Sequence, residues 1–415
     1  MKSDVLIIGG GLVGLAIASS LAQKGISVIV IDDNKIGTDV IPAFDGRASA
    51  IALGSKRVLD GIGVWRHLPV PPSPIQDIRI SDQQSLFFLH FDHTDVGLGP
   101  LGYMLENRHL RIALHNRCQE LSNFLTVIQP DTIQSMNRKT NFVTATLSSG
   151  RKIQSKLVIG ADGRSSQTRQ TAEIDVTSWP YHQTAIVCTI KHDISHDFVA
   201  HEHFLKSGPF AILPLNGDAC PDTIYKGNLS SIVWTETTEL ADEIMAADDR
   251  IFMRELRYRF GDFLGHVECI GPKFSYPLGL QIANQFVDQR LVLIGDAAHA
   301  MHPIAGQGLN MGLRDVAALT DVLIKCHQLG GDMGSATVLD QYQIKRRFDN
   351  GLMLGATDIL NRLFSNNIPV VKLVRDVGLG IVHKLPPVKT FFMKNAMGLV
   401  GDIPTLMRAP KQDEE

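Results

Sequence analysis

A buried strand, a glycine turn, a helix, a second strand and an acid follow one another between Val5 and Asp32. Val5-Leu6-Ile7-Ile8 reads as a continuous apolar strand, and Gly9-Gly10-Gly11-Leu12-Val13-Gly14 follows it directly. A helical pattern then runs to about Lys24, with Gly25 placed to end it. The second strand, Ser27–Ile31, stops at Asp32. Gly9 makes the tight turn, Gly11 lets a pyrophosphate approach the backbone, and Gly14 lets helix and strand pack closely. The amides around Leu12 and Val13 open the helix, where an anion is favoured. Asp32 stands at the spacing of a carboxylate that binds a ribose. A glycine pattern alone is weak. With all five parts in order it specifies a Rossmann-like α/β domain that holds a dinucleotide.

Gly97-Leu98-Gly99-Pro100-Leu101-Gly102 fits the same glycine pattern, but His93-Thr94-Asp95-Val96 before it is no buried strand. Pro100 also sits inside the turn. This segment reads as a loop, so the chain carries one dinucleotide fold.

At 415 residues the chain exceeds a single simple core, and two domains are expected. Its 44% hydrophobic and 20% charged content is that of a soluble globular protein. A net charge of −3 provides no field to recruit nucleic acid, and no basic patch studded with aromatics points to one. No stretch reads as a signal peptide, and none approaches the roughly 18 apolar residues of a spanning helix. The cysteines are scattered, without a C-x-x-C, which fits a reducing cytoplasm and argues against a metal or dithiol centre.

A second ligand loop spans Gly295–Asp315, GDAAHAMHPIAGQGLNMGLRD, after the strand-like run Arg290–Ile294. Asp296 stands at the strand end, where it can accept hydrogen bonds from a sugar-like hydroxyl. Pro303 stiffens the loop, and Gly306, Gln307, Gly308, Leu309 and Asn310 open a helix whose amides favour an electron-rich group. A third strand end, after the hairpin Phe142–Leu147 and Lys152–Ile159, carries Gly160-Ala161-Asp162-Gly163. Alone that is an ordinary turn; beside the other two it is a further strand-end acid in the same chain.

From Trp179 to Pro277 short β runs alternate with turn residues: Gln183–Ile190, Ala200–Lys206, Phe210–Leu215 and Ser230–Thr235. They read as a mostly antiparallel sheet inserted into the nucleotide-binding domain, forming the second wall of a pocket. Leu213, Pro214 and Trp234 are lining candidates, although an apolar core explains them almost equally well. The expected organisation is a discontinuous cofactor domain of residues 1–72, 101–178 and 278–350. A β-sheet substrate domain takes 73–100 and 179–277, and a C-terminal helical region takes 351–415. Between Leu360 and Lys411 the basic residues Arg362, Lys372, Arg375, Lys384, Lys389, Lys394, Arg408 and Lys411 outnumber the acidic Asp376 and Asp402. This stretch reads either as a contact with an anionic membrane surface or a partner, or as amphipathic helices with a solvated basic face.

With GGGLVG, a strand-ending acid, GADG-x-S and GDAAH…HP-x-x-GQG-x-N-x-G in this order, the chain resembles single-component flavin monooxygenases of the para-hydroxybenzoate hydroxylase superfamily. Within it, the chain most resembles the ubiquinone-biosynthesis aromatic-ring hydroxylases. Asp45-Gly46-Arg47-Ala48, Glu106-Asn107-Arg108, Gly208–Leu215 and His302–Asn310 carry that narrower likeness. The resemblance implies a Rossmann-like FAD domain with an inserted β substrate domain and C-terminal helices. It implies that Gly9, Gly11 and Gly14 hold the FAD pyrophosphate and Asp32 the adenosine ribose. Arg47 would meet the flavin phosphates, with Asn107 and Arg108 nearby, and Asp162-Gly163 would lie close to the phosphates and the nicotinamide path. Asp296 would bind the ribityl chain, and Pro303 with Gly306–Asn310 would face the isoalloxazine ring.

The resemblance further implies an NAD(P)H-dependent hydroxylase. O2 would add to reduced FAD as a C4a-hydroperoxide, which hydroxylates the ring of a polyprenylated phenol or quinone precursor. Other quinone-biosynthesis proteins are candidate partners, and the expected location is the cytoplasm, with peripheral contact at the inner membrane face left open. No general base is assigned; His299 and His302 flank the flavin loop, where bonding to the backbone explains them better than chemistry. Two other functions stay open: an FAD-dependent reductase of a polyprenyl or aromatic substrate, and a catalytically idle flavoprotein scaffold in a quinone-synthesis complex.

Overall fold

The computed structural model describes residues 1–34, 46–82, 88–217, 225–300, 307–364 and 385–409. Parallel strands covered on both faces must be apolar throughout, and β1 (Lys2–Ile8) and β2 (Val28–Ile31) meet that demand from Val5 to Ile7 and along all of β2. Joined by β8 (Leu125–Ile128), β11 (Lys152–Gly160), β17 (Val287–Asp288) and β18 (Leu291–Leu293), they form a sheet in the order β17-β18-β11-β1-β2-β8. From β18 to β8 the pairings are parallel, and β9 (Ile133–Arg138) and β10 (Val143–Leu147) hang from β11 as an antiparallel extension. Helices α1 (Leu12–Ala22), α3 (Asn107–Glu120) and α7 (Gln307–Gln328) close one apolar core around it. Gly97–Gly102 is a loop leading into the next sheet, not a second nucleotide turn.

The second sheet has the order β19-β16-β12-β15-β14-β13-β5-β6. It takes β5 (Asp77–Asp82), β6 (Phe88–Asp92), β12 (Val176–His192), β13 (Val199–Leu205) and β14 (Gly208–Gly217). Completing it are β15 (Tyr225–Thr237), β16 (Val267–Ala283) and β19 (His299–Ala300). Three of the short runs read from sequence lie within longer strands, and the fourth, Ala200–Lys206, is β13 displaced by one residue. Because β19 belongs to the Gly295–Asp315 loop, that loop is stitched onto the edge of this sheet, Gln281 facing Ala300 and Ile282 facing His299. A third, small sheet, β3-β7-β4, comprises β3 (Ala48–Ala52), β4 (Ser73–Ile75) and β7 (Gly102–Glu106).

Helices α5 (Thr238–Ala246) and α6 (Asp249–Phe260) cover one face of the large sheet. Strand alternation sends Ile186, Phe210, Ile212, Ile232 and Trp234 to that face, against Phe252, Leu256 and Phe260. Trp234 is therefore no pocket-lining residue. It is fully buried, with ring centroids 6.1 Å from Phe210 and 6.0 Å from Phe252, and its Nε1–H donates to Glu236. The opposite face carries the alternate residues, and Leu213 there packs in a cluster with Ala48 and Ala50 of β3. Helix α2 (Leu53–Gly61) follows β3, and α4 (Gln167–Thr171) follows the end of β11. Helix α8 (Ala336–Phe364) runs straight through the boundary expected at residue 350, so the C-terminal region begins as a continuation of this helix. It resumes as α9 (Pro386–Ala396).

Candidate functional site

Three strand ends of the parallel sheet converge at the N-terminus of α1. A Cβ on Gly14 would stand 1.9 Å from the Gly9 carbonyl oxygen, so helix and strand meet here at a distance only glycine permits. Gly11 is the reverse case, with open space where its side chain would be. It is also the N-cap of α1, with no side chain bonded to the first-turn amides. Open space above uncapped N–H groups is what an anionic pyrophosphate requires. Leu12 and Val13 begin the helix half-buried, and Val13 packs where Cβ atoms on Gly295 and Gly312 would otherwise stand, locking this turn to the second loop. Asp32 ends β2, its Oδ2 accepting from the Gly10 amide at 2.5 Å and its Oδ1 from the Asn34 amide at 2.8 Å.

Asp162 is engaged by its own loop. Its Oδ1 accepts from the Ser166 hydroxyl at 2.5 Å and its Oδ2 from the Thr168 amide at 2.9 Å, which caps α4; Gly163 beside it has positive φ. Arg169, on the same short helix, is buried and donates to the Ala297 carbonyl at 2.9 Å and the Arg164 carbonyl at 3.0 Å. That guanidinium ties the Asp162 loop to the Gly295-Asp296-Ala297 turn.

Asp296 differs in every respect. It is exposed, and among the described residues no hydrogen bond or ion pair engages its carboxylate. It nevertheless lies in a crowded recess, and the desolvation there raises its pKa; Asp315 adds to the rise, and His299 and Arg164 oppose it. An unpartnered carboxylate in a recess is a receptor for hydroxyl donors. The turn it occupies is held from beneath by a buried network. Asp315, fully buried on α7, accepts from the Gly295 amide at 2.9 Å, bonds His299 Nε2 at 2.6 Å and accepts from Arg346 Nε at 2.6 Å. Burial alone would raise the Asp315 pKa, but the charges and hydrogen bonds of His299 and Arg346 outweigh it and hold it at about 2. Arg346 continues to Asp349 and Asn350, and Arg314 links Asp349 to the Val400 carbonyl of the C-terminal segment. His299 is thus a structural partner of a buried carboxylate, and sequence reading assigned no role to Asp315 or Arg346. The available signal was a charged residue on the otherwise apolar stripe Leu313, Val316, Ala317 of α7.

At the other end of the recess, Asn310 clamps β3: its Oδ1 accepts from the Ala52 amide at 2.9 Å and its Nδ2 donates to the Ala50 carbonyl at 2.8 Å. Gly308 and Leu309 are half-buried in the first turn of α7, where Gln307 also lies. Pro303, Gly306 and His302 fall outside the described residues. Arg47 is exposed and lies over the Phe274 ring at 5.5 Å, while its carbonyl accepts from the Asn107 amide. The Asn107 Oδ1 takes the Ser49 hydroxyl at 2.6 Å. Arg108 turns inward instead. Its buried guanidinium pairs with the buried Glu106 at 2.7 Å, so the side chain offered to the flavin phosphates is drawn into an ion pair. Leu213 is half-buried and Pro214 buried on β14.

The fold and this donor set are those of a flavoprotein: an open anion cradle, a strand-end acid at Asp32, and a second acid, Asp296, that has no partner among the described residues. The FAD binding domain family matches residues 2–349. The ubiquinone hydroxylase UbiL of Rhodospirillum rubrum is 48% identical over 409 residues, covering 98% of this chain and 92% of that protein. The 3-demethoxyubiquinol 3-hydroxylase of Escherichia coli is 33% identical, covering 96% of this chain and 99% of its own length. Among solved structures, p-nitrophenol 4-monooxygenase PnpA of Pseudomonas putida superposes with a TM-score of 0.78 at 18% identity, covering 97% and 99% of the two chains. The chain belongs to this FAD-binding family, within its group of ubiquinone hydroxylases, and is an FAD-dependent hydroxylase.

Proposed function

We propose that the chain hydroxylates the aromatic ring of a polyprenylated ubiquinone precursor, taking electrons from NAD(P)H and one oxygen atom from O2. The observation that carries this reading is the pairing of the FAD recess with the sheet face beside it, joined by the Asn310 clamp on β3. Bound FAD, once reduced, supplies the activation of O2 for transfer of one oxygen atom to an electron-rich ring. The residues supply the rest. Gly11 and the first amides of α1 receive the pyrophosphate, Asp32 the adenosine ribose, Arg47 the phosphates, and Asp296 the ribityl hydroxyls. The backbone of Gly308–Asn310 would hold the ring system. The β-sheet face bearing Leu213 holds the substrate ring close and keeps water from the reacting atoms.

In this reading residues 1–72, 101–178 and 278–350 serve the cofactor, and 73–100 with 179–277 serve the substrate. No helix among the described residues is long and apolar enough to cross a membrane. Delivery of a polyprenyl substrate falls to the C-terminal region, where α9 exposes Phe391 and Phe392 beside Lys394, a composition suited to the surface of an anionic bilayer. Mass spectrometry of the quinone pool in a strain lacking the gene tests the proposal. An accumulated intermediate short of one defined ring hydroxyl is expected; an unchanged pool overturns it.

A further inference from the structure

The face of the large sheet turned away from α5 and α6 has a floor of small side chains ending at one acid. Register pairs Phe274 with Val187, Val187 with Val233, Val233 with Ala211 and Ala211 with Glu202, so these five residues cross the sheet on one face. Their strand neighbours Ile186, Phe210 and Trp234 point to the helices. His201 and His203, on either side of Glu202, lie against Phe263 on that same helix-covered side. Glu202 therefore stands on the face that meets β3, the strand clamped by Asn310.

Its surroundings are apolar. Ala200, two residues before it, packs with Leu213, Ala48 and Ala50. Phe204, two residues after it, packs with Ile80, with Leu53 at the start of α2 and with Met393 of α9. Glu202 is half-buried, and among the described residues no hydrogen bond or ion pair engages it. Burial is the sole cause raising its pKa, to about 7, and none of the residues just named on β3, β5, β14, α2 or α9 carries a charge. An acid without a partner costs stability in such a place, which a core position would not retain without use.

We propose that Glu202 is a catalytic residue that receives the proton of the substrate's ring hydroxyl. This rests on the reading of the chain as an aromatic-ring hydroxylase. As the ring carbon forms its bond to the transferred oxygen atom, the O–O bond of the two-electron-reduced dioxygen breaks and its other oxygen leaves with the bonding pair, while the O–H bond of the phenol breaks and its proton passes to a Glu202 carboxylate oxygen. The electron pair left on the phenol oxygen moves into the ring, giving a dienone. The proton on the newly oxygenated carbon passes to the departing oxygen, which leaves as water, so the ring becomes aromatic again, and Glu202 returns its proton to the phenol oxygen. The substituents of the ring then extend along the floor of Ala211, Val233 and Val187, which leaves room that larger side chains would fill.

The test compares wild-type holoenzyme with Glu202→Gln and Glu202→Asp, using a methoxyphenol carrying a short prenyl chain as probe. Two readouts are taken across pH: hydroxylation rate, and probe affinity from the change in flavin absorbance without reductant. Glu202→Gln matches the neutral acid in shape, so its FAD content and melting temperature should equal wild type. Its rate should fall on the order of a hundred-fold, and the rise in rate as pH passes about 7 should vanish. Probe affinity above that pH should fall about ten-fold. Glu202→Asp should keep the pH-dependent rise at a reduced rate. A Gln variant with wild-type rate, affinity and pH profile overturns the role of Glu202. Wild-type enzyme whose affinity depends on Glu202, yet which forms no hydroxylated probe, would instead count against the proposed function.

Discussion

Asp162 and Asp296 leave adjacent parallel strands, β11 and β18, and each stands next to a glycine, Gly163 and Gly295, in a motif that resembles a cofactor loop. One is tied to a hydroxyl and an amide of its own chain, and the other is held open in a recess by a network beneath it. The difference lies downstream of each motif. Ser166 and Thr168 reach back to Asp162 because α4 starts at once, and Ser166 itself caps that helix by accepting from the Arg169 amide. After Asp296 the chain completes a tight turn and enters β19, which pairs with β16, and the buried Asp315 accepts from the Gly295 amide. Two acids with similar sequence surroundings thus differ in what engages them, and in the proposed function Asp162 shapes the wall while Asp296 receives the ligand.

The strongest way to break this division is to remove what holds the Asp296 turn open. Asp315→Ala strands Arg346 and His299 in the core without their anion and should cost about 3–5 kcal/mol, read as a fall in denaturation midpoint. The same group sets a pH dependence. Its folded pKa, about 2, lies below its unfolded value, so the stabilisation is complete above roughly pH 4 and is lost as pH falls toward 2. Denaturation curves at falling pH should show that loss in wild type and not in Asp315→Asn.

Asp296→Ala comes next. The apo protein should melt as wild type does, while FAD affinity by equilibrium dialysis should fall on the order of a hundred-fold, as for the loss of hydrogen bonds to a charged group. Asp162→Ala should do the converse, lowering stability by about 1–2 kcal/mol through the two lost hydrogen bonds to Ser166 and Thr168, with FAD affinity changed less than in Asp296→Ala. Equal losses of FAD affinity in the two variants would end the comparison. Smallest of all is Trp234→Phe, which should lower the melting temperature slightly through a packing defect and leave substrate KM unchanged, since its ring faces α6.

What was legible in the sequence follows from how far each interaction reaches along the chain. Gly9, Gly11, Gly14 and Asp32 act through backbone geometry within one strand-helix-strand unit, so their spacing alone carries the information. The face on which a β residue lies depends on the phase of alternation and on which side the helices cover. Trp234 and Glu202 could not be sorted from one-dimensional alternation, because α5 and α6 claim one face only in three dimensions. Spacing did not reveal that Arg108 pairs with Glu106, two residues earlier. The network of His299, Asp315, Arg346 and Arg314 joins residues far apart in sequence, and its only trace was charge on an apolar helix stripe.

The central claim is that FAD held in this recess delivers oxygen to a ring lying on the sheet floor. Purified holoenzyme given NAD(P)H, the prenylated methoxyphenol and isotopically heavy O2 tests it most directly. The account predicts a ring-hydroxylated product carrying one heavy oxygen atom, formed only with oxygen present. Product free of heavy oxygen, or a substrate reduced in the absence of O2, would contradict it.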